Sequence, residues 1–587
     1  MRTGWLALAV LVVACGEDPV LPLLDGGPEG GIDGGLQRVS AHRVWESSDT
    51  SCLYASTQLV RSRGEDLLLA IGIAGELRLL DPSTGEDVWV DQIEPPAAPD
   101  ADTVVAISTP AIVHERYVVM GYADLTASPY TVRGFYVSVF DLETRTMSED
   151  FERIVVDASV PEYAGTGNVV FDRRRQVQRG ALRHIDVPDR ELGLVYVAFG
   201  NGPSVQPFHG WMFELDLDAW LSGGADDAVT GTLLTTQEND CGAFGSASPS
   251  RCGGGLWNAA GPEIVPGEDG DYEIFVASGN GRVDFDVGAY AHSVLRTGRG
   301  LAFDRACDEA LCAPFDELDP ARECLESCEN IFVPRLEVGE APLAPSEGTC
   351  DGLTFFECYG AIDADLGANG PAIAEVQGGP RVVVQAGKDG ALYLADADHL
   401  GRMYQRLQVM DFCGTPESPC EAPWIGMFVT HPVVTTLDGD PIVILASQMA
   451  DLVHPSGITA VRVAMEDGEP RMRIHWQVPG FDTEDALHSF RYHPQRPVLI
   501  EVDGEELVVV VETRRDFYRT VTGIEPPGRI WGVRVADGAL AFREDLSGAG
   551  QRFAIPAVVG DHIYVNSCDG RAEEEGRVDA FQIVSEY

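Results

Sequence analysis

The chain has 587 residues, of which 45% are hydrophobic and 23% charged, with 64 glycines and 36 prolines. This composition lies in the globular range and excludes a disordered or collagen-like chain. The 93 acidic and 41 basic residues leave a net charge of −52, which repels phosphate backbones and so excludes nucleic acid as a partner.

The first forty residues carry the pattern of an exported lipoprotein. An apolar run over residues 5–14 is too short to cross a bilayer as a mature helix and fits a signal peptide, residues 1–14. It ends in Leu-Val-Val-Ala-Cys15, which resembles the bacterial lipobox and implies that Cys15 is the lipidated mature N-terminus. Residues 15–40, rich in Gly, Pro and Asp, predict a flexible tether. We expect a protein of the bacterial cell envelope, anchored by lipid alone at the outer membrane, on its periplasmic or surface side.

One sequence unit recurs along the chain. It consists of a proline with a short apolar strand, a polar turn, and a second apolar strand that ends in a Gly-rich turn. A degenerate copy covers residues 58–72, and the strand at 194–200 indicates another. Complete copies begin at Pro110, Pro262, Pro371, Pro432, Pro497 and Pro556. The last four prolines are about sixty residues apart, which is the spacing of a radial repeat.

Eight copies of a short-stranded unit predict an all-β fold, an eight-bladed β-propeller, with seven blades as the alternative count. We expect one propeller domain over residues 41–587 and a monomer. The pattern His42-Arg-Val-Trp-Glu is typical of an outer strand but precedes the first unit. The N-terminal strand should therefore complete the last blade, which would place Cys52 and Cys568 on one face to form a disulfide bond across the seam.

The segments 75–89 and 387–390 resemble the repeats of the PQQ-like, quinoprotein alcohol dehydrogenase-like propeller family. That family's unit has a Gly turn, an apolar strand ending in Leu-Asp, a Thr-Gly turn and a Trp. For an enzyme, the resemblance implies an adjacent Cys-Cys pair, a Trp that stacks on PQQ, and Glu, Asn and Asp around calcium. The sequence has no Cys-Cys pair and no Cys-x-x-Cys-His haem motif. Fold alone does not transfer activity.

Twelve cysteines remain after Cys15, an even number that indicates disulfides in an exported protein. Besides the seam bond, neighbours in sequence predict the pairs Cys241–Cys252, Cys350–Cys358 and Cys413–Cys420. Residues 303–358 are predicted to be a Cys-rich insertion on one blade. Within it a small helical hairpin should carry the nested bonds Cys307–Cys328 and Cys312–Cys324, with zinc binding as the alternative for these four residues.

The segment 252–262, Cys-Gly-Gly-Gly-Leu-Trp-Asn-Ala-Ala-Gly-Pro, leads into an innermost strand, and its glycines allow close approach of backbone or ligand. If the innermost strands line the axis, a set of candidate ligand-binding residues converges there: Trp257, Asn258, Asn369, His431 and His493. The competing interpretation is ordinary packing between blades and turn hydrogen bonds. Lys388, in Gly-Lys-Asp-Gly, is equally well explained as turn chemistry.

These observations favour a lipid-anchored envelope propeller that binds a protein or a cell-surface component. The sequence identifies no catalytic residues, and no cofactor or metal is expected. The alternative is an exported PQQ-dependent dehydrogenase of alcohols or sugars. In that alternative PQQ stacks on Trp257, and Asn258 and Asn369 are the candidate calcium ligands.

Overall fold

The structure, a computed structural model, describes most of the chain from residue 38 onward. The described residues are 38–48, 50–93, 103–105, 108–127, 130–201, 207–239, 241–242, 252–267, 271–337, 358–359, 364–410, 428–448, 457–478, 490, 493–513, 527–568 and 576–586. The signal peptide, Cys15 and nearly all of the tether lie outside them. Within these ranges none of the helices has the length and apolarity needed to span a membrane.

The strands form eight antiparallel blades, so the predicted eight-bladed propeller is confirmed. The chain starts with β1 (Arg38–Glu46), which belongs to the last blade. Blade 1 is β2 (Gln58–Ser62), β3 (Glu65–Ile71), β4 (Glu76–Leu80) and β5 (Asp87–Gln92). Blade 2 is β6 (Thr103–Val105), β7 (Ala111–Val113), β8 (Tyr117–Ala127), β9 (Tyr130–Asp141), β10 (Thr146–Met147) and β11 (Ile154–Val155). A separate hairpin follows, of β12 (Ser159–Pro161) and β13 (Asn168–Val170).

Blades 3 and 4 carry the helices. Blade 3 is β14 (Gln176–Val177), β15 (Arg183–Ile185), β16 (Leu194–Asn201), β17 (Trp211–Asp216) and β18 (Val229–Leu234), with α1 (Leu217–Gly223) and α2 (Ala225–Ala228) before its last strand. Blade 4 is β19 (Glu263–Pro266), β20 (Tyr272–Ala277), β23 (Val294–Thr297) and β24 (Ile331–Phe332). Its insertions are the hairpin β21 (Val283–Asp284) and β22 (Ala289–Tyr290), the 3-10 helices Phe285–Val287 and Arg299–Leu301, α3 (Glu309–Cys312) and α4 (Arg322–Glu326).

Blades 5 to 7 are regular. Blade 5 is β25 (Ala372–Glu375), β26 (Arg381–Ala386), β27 (Ala391–Asp396) and β28 (Met403–Gln408). Blade 6 is β29 (Val433–Leu437), β30 (Asp440–Ala446), β31 (Ile458–Glu466) and β32 (Glu469–Val478). Blade 7 is β33 (Val498–Val502), β34 (Glu505–Glu512), β35 (Arg529–Arg534) and β36 (Leu540–Asp545). The pairs Asp438-Gly439 and Asp503-Gly504 have positive φ at both residues, the geometry of tight hairpin turns, as their sequences predict.

Blade 8 closes the ring with the two ends of the chain. It contains β37 (Ala557–Val559), β38 (His562–Cys568) and β39 (Gly576–Glu586), and β1 pairs with β39 from Arg38↔Glu586 to Glu46↔Asp579. The predicted closure by the N-terminal strand is therefore present. Cys52 is bonded to Cys568, with Cα atoms 5.5 Å apart and a sequence separation of 516.

Three further predicted disulfides are present: Cys241–Cys252, Cys307–Cys328 and Cys312–Cys324. The last two join the regions of α3 and α4, so the predicted helical hairpin is present and is cross-linked by two disulfides. Cys350, Cys413 and Cys420 lie outside the described residues, so their pairing stays a prediction. The strand β24 falls inside the range 303–358 predicted as an insertion, because the fourth strand of blade 4 follows the hairpin directly.

The core is distributed around the ring. The described residues form eight clusters of buried apolar side chains, one at each interface between neighbouring blades. Leu53 and Leu68 of the blade 1 side, for example, pack with Tyr564 and Ala580 of blade 8. Middle strands such as β3 are buried on both faces, which explains their continuous apolar sequences.

Candidate functional site

The innermost strands of a propeller surround its axis, and because the blades repeat, these strands all start at the same end of it. Asn258, Asn369, His431 and His493 precede the innermost strands of blades 4, 5, 6 and 7. The structure separates the five predicted site residues into two groups. Asn258, Asn369 and His431 form one, and Trp257 and His493 lie in the other, around Lys388.

His431 is the centre of the first group. Asn258 Nδ2 lies 3.3 Å from His431 Nδ1, and His431 Nε2 lies 3.4 Å from Glu263 Oε2. Burial lowers the pKa of His431 to about 4, with nearby Arg496 acting in the same direction, so the ring is neutral at pH 7. The neutral ring therefore accepts from Asn258 at Nδ1 and donates to Glu263 at Nε2, a tautomer assigned from these contacts. Both ring nitrogens are engaged.

The side chains of Asn258 and Asn369 also form hydrogen bonds with the backbone. Asn258 Nδ2 donates to the carbonyl oxygen of Gly261 at 2.8 Å, and its Oδ1 accepts from the Ala260 N–H at 3.2 Å. Asn369 Nδ2 donates to the carbonyl oxygen of Phe428 at 2.7 Å. A Cβ atom at Gly370 would collide with both His431 and Asn258, so a glycine beside Asn369 is required for this convergence. These contacts support the interpretation of the Asn residues as turn residues.

Glycines enclose the indole ring of Trp257. A Cβ atom at Gly200 would come within 2.6 Å of Trp257 Cε3, and Cβ atoms at Gly255 and Gly279 would also collide with the ring. The residue is 9% exposed, and Lys388 Nζ lies 5.7 Å from the ring centroid. The predicted close approach of backbone to this Trp is therefore present, and a cation lies over the ring.

Lys388 is buried and ion-paired. Its Nζ lies 2.7 Å from Asp365 Oδ2, whose side chain is inaccessible to solvent. The next residue, Asp389, accepts from Tyr393 at 2.8 Å, from Tyr359 at 3.1 Å and from Arg406 at 3.1 Å. Lys388 is the single lysine of the chain.

His493 belongs to the Lys388 side of the axis. Its ring lies 6.4 Å from that of Phe553, and Arg179 and Arg552 both lie over the Phe553 ring. Burial lowers the pKa of His493 well below its usual range, and the charges of Arg552, Lys388 and Arg179 add to this. This part of the axis is rich in positive charge.

A cavity of about 300 Å³ opens where the innermost strands start. Residues of five blades line it, among them Ser56, Thr109, Leu182, Arg183, Ala260 and Pro556. Ser56 and Thr109 bond to each other, 2.8 Å between their hydroxyl oxygens. Arg183 is the basic side chain among the lining residues.

The axial residues do not fit a calcium-bound quinone well. Calcium takes six to eight oxygen ligands, whereas Asn258 Oδ1 already accepts a backbone N–H. The charges around Glu263 are those of Arg183 and Arg496, which repel a cation. Lys388 lies over the Trp257 face on which a quinone would stack.

Three groups of His, Cys and Asp side chains have ligand atoms close enough for a metal ion in the described part of the chain, and none of them includes one of the five candidate ligand-binding residues. Two of them contain cysteines that are in disulfide bonds. The third is His114, His184 and Asp186, in which His184 Nε2 also lies 2.8 Å from the carbonyl oxygen of Leu192. The four cysteines considered for zinc are paired as disulfides.

No family model and no curated protein matches the sequence. The structure is similar to a europium-containing methanol dehydrogenase, with a TM-score of 0.51 and 11% identity, covering 92% of this chain and 93% of that one. It is also similar to the quinohemoprotein alcohol dehydrogenase ADHIIG from Pseudomonas putida HK5, with a TM-score of 0.50 and 11% identity, covering 92% and 76%. BamB from Moraxella catarrhalis gives a TM-score of 0.40 at 13% identity, covering 93% and 99%. The first two likenesses show that the chain shares the β-propeller fold of these two dehydrogenases.

Proposed function

We propose that this PQQ-like propeller is a lipid-anchored binding module of the bacterial envelope that holds a protein or another envelope component and does not turn over a substrate. Cys15 carries the lipid, and the tether runs from there to residue 37, because β1 begins at Arg38 and the last three residues of the predicted tether are part of blade 8. The proposal puts ligand contact at the end of the axis where the innermost strands start, because the cavity there provides the concave surface that binding sites need.

The proposal rests mainly on the contacts that the two ring nitrogens of His431 make. A catalytic base needs a nitrogen within reach of the proton that it removes. His431 accepts from Asn258 at Nδ1 and donates to Glu263 at Nε2, so neither nitrogen is left for a substrate. Polar side chains whose hydrogen bonds are made to one another form a rigid network. Such a network suits a binding surface better than proton transfer.

The second candidate function is a PQQ-dependent dehydrogenase, and the glycine enclosure around Trp257 favours it. PQQ would have to displace Lys388 from the indole face, which breaks the ion pair with Asp365. Asn369 could then offer its Oδ1 atom, which has no partner among the described residues. The two candidates therefore differ in what PQQ and calcium do to the protein.

The test is thermal unfolding and dye reduction with added PQQ and calcium chloride. A ligand that binds the native state stabilises it by RT ln(1 + L/Kd), where L is the free ligand concentration, so the melting temperature rises with ligand concentration. We expect no shift, and no reduction of dye with ethanol, methanol or glucose as substrate. A shift together with dye reduction, both lost in Trp257→Ala, would replace the binding module with the dehydrogenase.

A further inference from the structure

Four ionisable side chains meet where the innermost strands start. Arg183 and Glu263 begin the innermost strands of blades 3 and 4, and His431 and Arg496 precede those of blades 6 and 7. Arg183 lines the axial cavity, and His431 Nε2 lies 3.4 Å from Glu263 Oε2. The charges of both Arg183 and Arg496 act on Glu263, which connects Arg496 to the other three side chains. Four separate blades thus contribute to one cluster, which we call the axial arginine cluster.

The two arginines have no dedicated partner. No hydrogen bond or ion pair joins the side chain of Arg183 or Arg496 to another described residue, and Arg496 Nε is buried without a hydrogen-bond partner. Glu263 is the carboxylate of the cluster, and it accepts from His431. Burial raises the pKa of Glu263, but the bond to His431 and the charges of Arg183 and Arg496 outweigh it and lower the pKa overall. Glu263 is therefore ionised at pH 7.

The charges of the cluster do not cancel. Two guanidinium groups face one carboxylate, and His431 is neutral because burial lowers its pKa to about 4. A buried charge without a counter-charge is strongly unfavourable unless another group compensates it. The excess is positive even though the whole chain has a net charge of −52. Because the surface of so acidic a protein repels anions, a general attraction of anions to the protein would not explain an anion bound at this cluster.

We propose that Arg183 and Arg496 form a binding site for an oxyanion, a carboxylate or phosphate group, of a small ligand that enters the axial cavity. Guanidinium groups bind such oxyanions through two parallel N–H donors, which a point charge cannot do. The inference rests on the proposed binding function, because it names the ligand chemistry of the same end of the axis.

Neighbouring buried amides supply further polar atoms for such a ligand. Gln495, the residue before Arg496, donates its Nε2 to the carbonyl oxygen of Gln551 at 2.7 Å. Gln551 is 1% exposed, and neither the nitrogen nor the oxygen of its side-chain amide has a partner among the described residues. Buried polar atoms are normally paired, so the unpaired amide of a residue that contacts Gln495 is a second indication of a missing polar group.

The test is isothermal titration calorimetry at low ionic strength with two probes, citrate and inorganic phosphate, and sodium chloride as the reference. We expect one-to-one binding of at least one probe, and binding of one alone assigns the oxyanion as carboxylate or phosphate. Arg183→Gln and Arg496→Gln should each weaken binding at least tenfold. Glu263→Gln, which removes the competing carboxylate, should strengthen it severalfold, and a variant that simply misfolds cannot do that.

The matched control is Arg473→Gln, which removes an exposed guanidinium paired with Glu466 on the outer strand of blade 6. It should leave the affinity unchanged. The inference is overturned if neither probe binds, or if Arg473→Gln weakens binding as much as Arg496→Gln does. Dye reduction with PQQ would reject the proposed function whatever citrate does, so the two failures are distinguishable.

Discussion

The indole ring of Trp476, on the outer strand of blade 6, lies over Gly538 in blade 7. A Cβ atom at residue 538 would come within 2.7 Å of Trp476 Cγ, and Trp476 Nε1 donates to the carbonyl oxygen of Val535 at 2.8 Å. Trp45 and Gly85 repeat this relationship at the seam. Each Trp thus fastens the outer strand of one blade to the turn between the third and fourth strands of the next.

Gly538→Ala should therefore lower the free energy of unfolding through two effects. Gly538 has φ of +73°, where an alanine is strained by about 1–2 kcal/mol, and displacing the indole adds about 1–3 kcal/mol. Gly504→Ala is the matched control, because φ is +83° there and a Cβ atom would meet nothing within 4 Å. Urea unfolding measures both variants. Equal losses would show that the Trp476 contact contributes nothing.

Removing the seam disulfide should destabilise the protein more than removing the hairpin disulfide. Cys52 and Cys568 are 516 residues apart, and Cys312 and Cys324 are 12 apart. In the chain-entropy model the loss is about 4–6 kcal/mol for the long loop and about 3 kcal/mol for the short one. Paired Cys→Ser variants at each site, unfolded in guanidinium chloride, give the comparison. A larger loss for the hairpin variant would contradict it.

The buried histidines predict a loss of stability in mild acid. Burial lowers the pKa of His292 and of His431 to about 4, whereas the unfolded chain binds those protons near pH 6.5. The stabilisation is complete above about pH 6.5 and is lost as the pH falls towards 4. Each pKa unit corresponds to about 1.4 kcal/mol. His431→Gln should flatten the dependence of the melting temperature on pH in that window, and an unchanged profile would show that His431 is not buried and neutral.

Asp365→Asn should be strongly destabilising, because it leaves the ammonium group of Lys388 buried without its counter-charge. Breaking a buried ion pair in this way costs about 3–5 kcal/mol. The double variant Lys388→Met with Asp365→Asn removes the unpaired charge and should recover much of the loss. A double-mutant cycle of unfolding free energies measures the coupling, and additive losses would mean that the pair does not interact.

Cys15→Ser should release the protein from membranes into the soluble fraction. The motivation is the lipobox-like run that ends at Cys15 and the tether behind it. Cell fractionation and intact-mass measurement of the detergent-extracted wild type check it, since a lipidated Cys15 has the added mass of its acyl chains. Membrane retention of the serine variant would reject the anchor.

The repeat could be predicted from the sequence because six of the eight innermost strands start just after a proline. A proline at the start of a strand leaves the hydrogen bonds of the sheet intact. Closure of the ring by the N-terminal strand could be predicted because His42-Arg-Val-Trp-Glu has the pattern of an outer strand but precedes the first unit. The helical hairpin could be predicted because two helix-forming segments, each with two cysteines, are separated by prolines.

The site was only partly predictable. Asn258 and His431 are 173 residues apart, and nothing in either local pattern reports that blades 4 and 6 bring them to 3.3 Å. Arg183 and Arg496 look like ordinary members of an Arg-rich set, since lack of a partner is a property of the folded axis. The burial of Lys388 was hidden for a different reason. Its Gly-Lys-Asp-Gly sequence is sufficient for a turn whichever way the side chain points.

Ring closure by β1 also determines how the protein carries a mechanical load. Tension applied at residue 38 acts first on the ladder between β1 and β39. Peeling can proceed no further than Cys52, because that residue is covalently joined to Cys568 in β38 of the same blade. When the opposing force acts at residue 586 on β39, the load is confined to blade 8 and the disulfide, and blades 1 to 7 stay unloaded. A pulling experiment under reducing conditions should convert this short, arrested extension into sequential rupture of the blades.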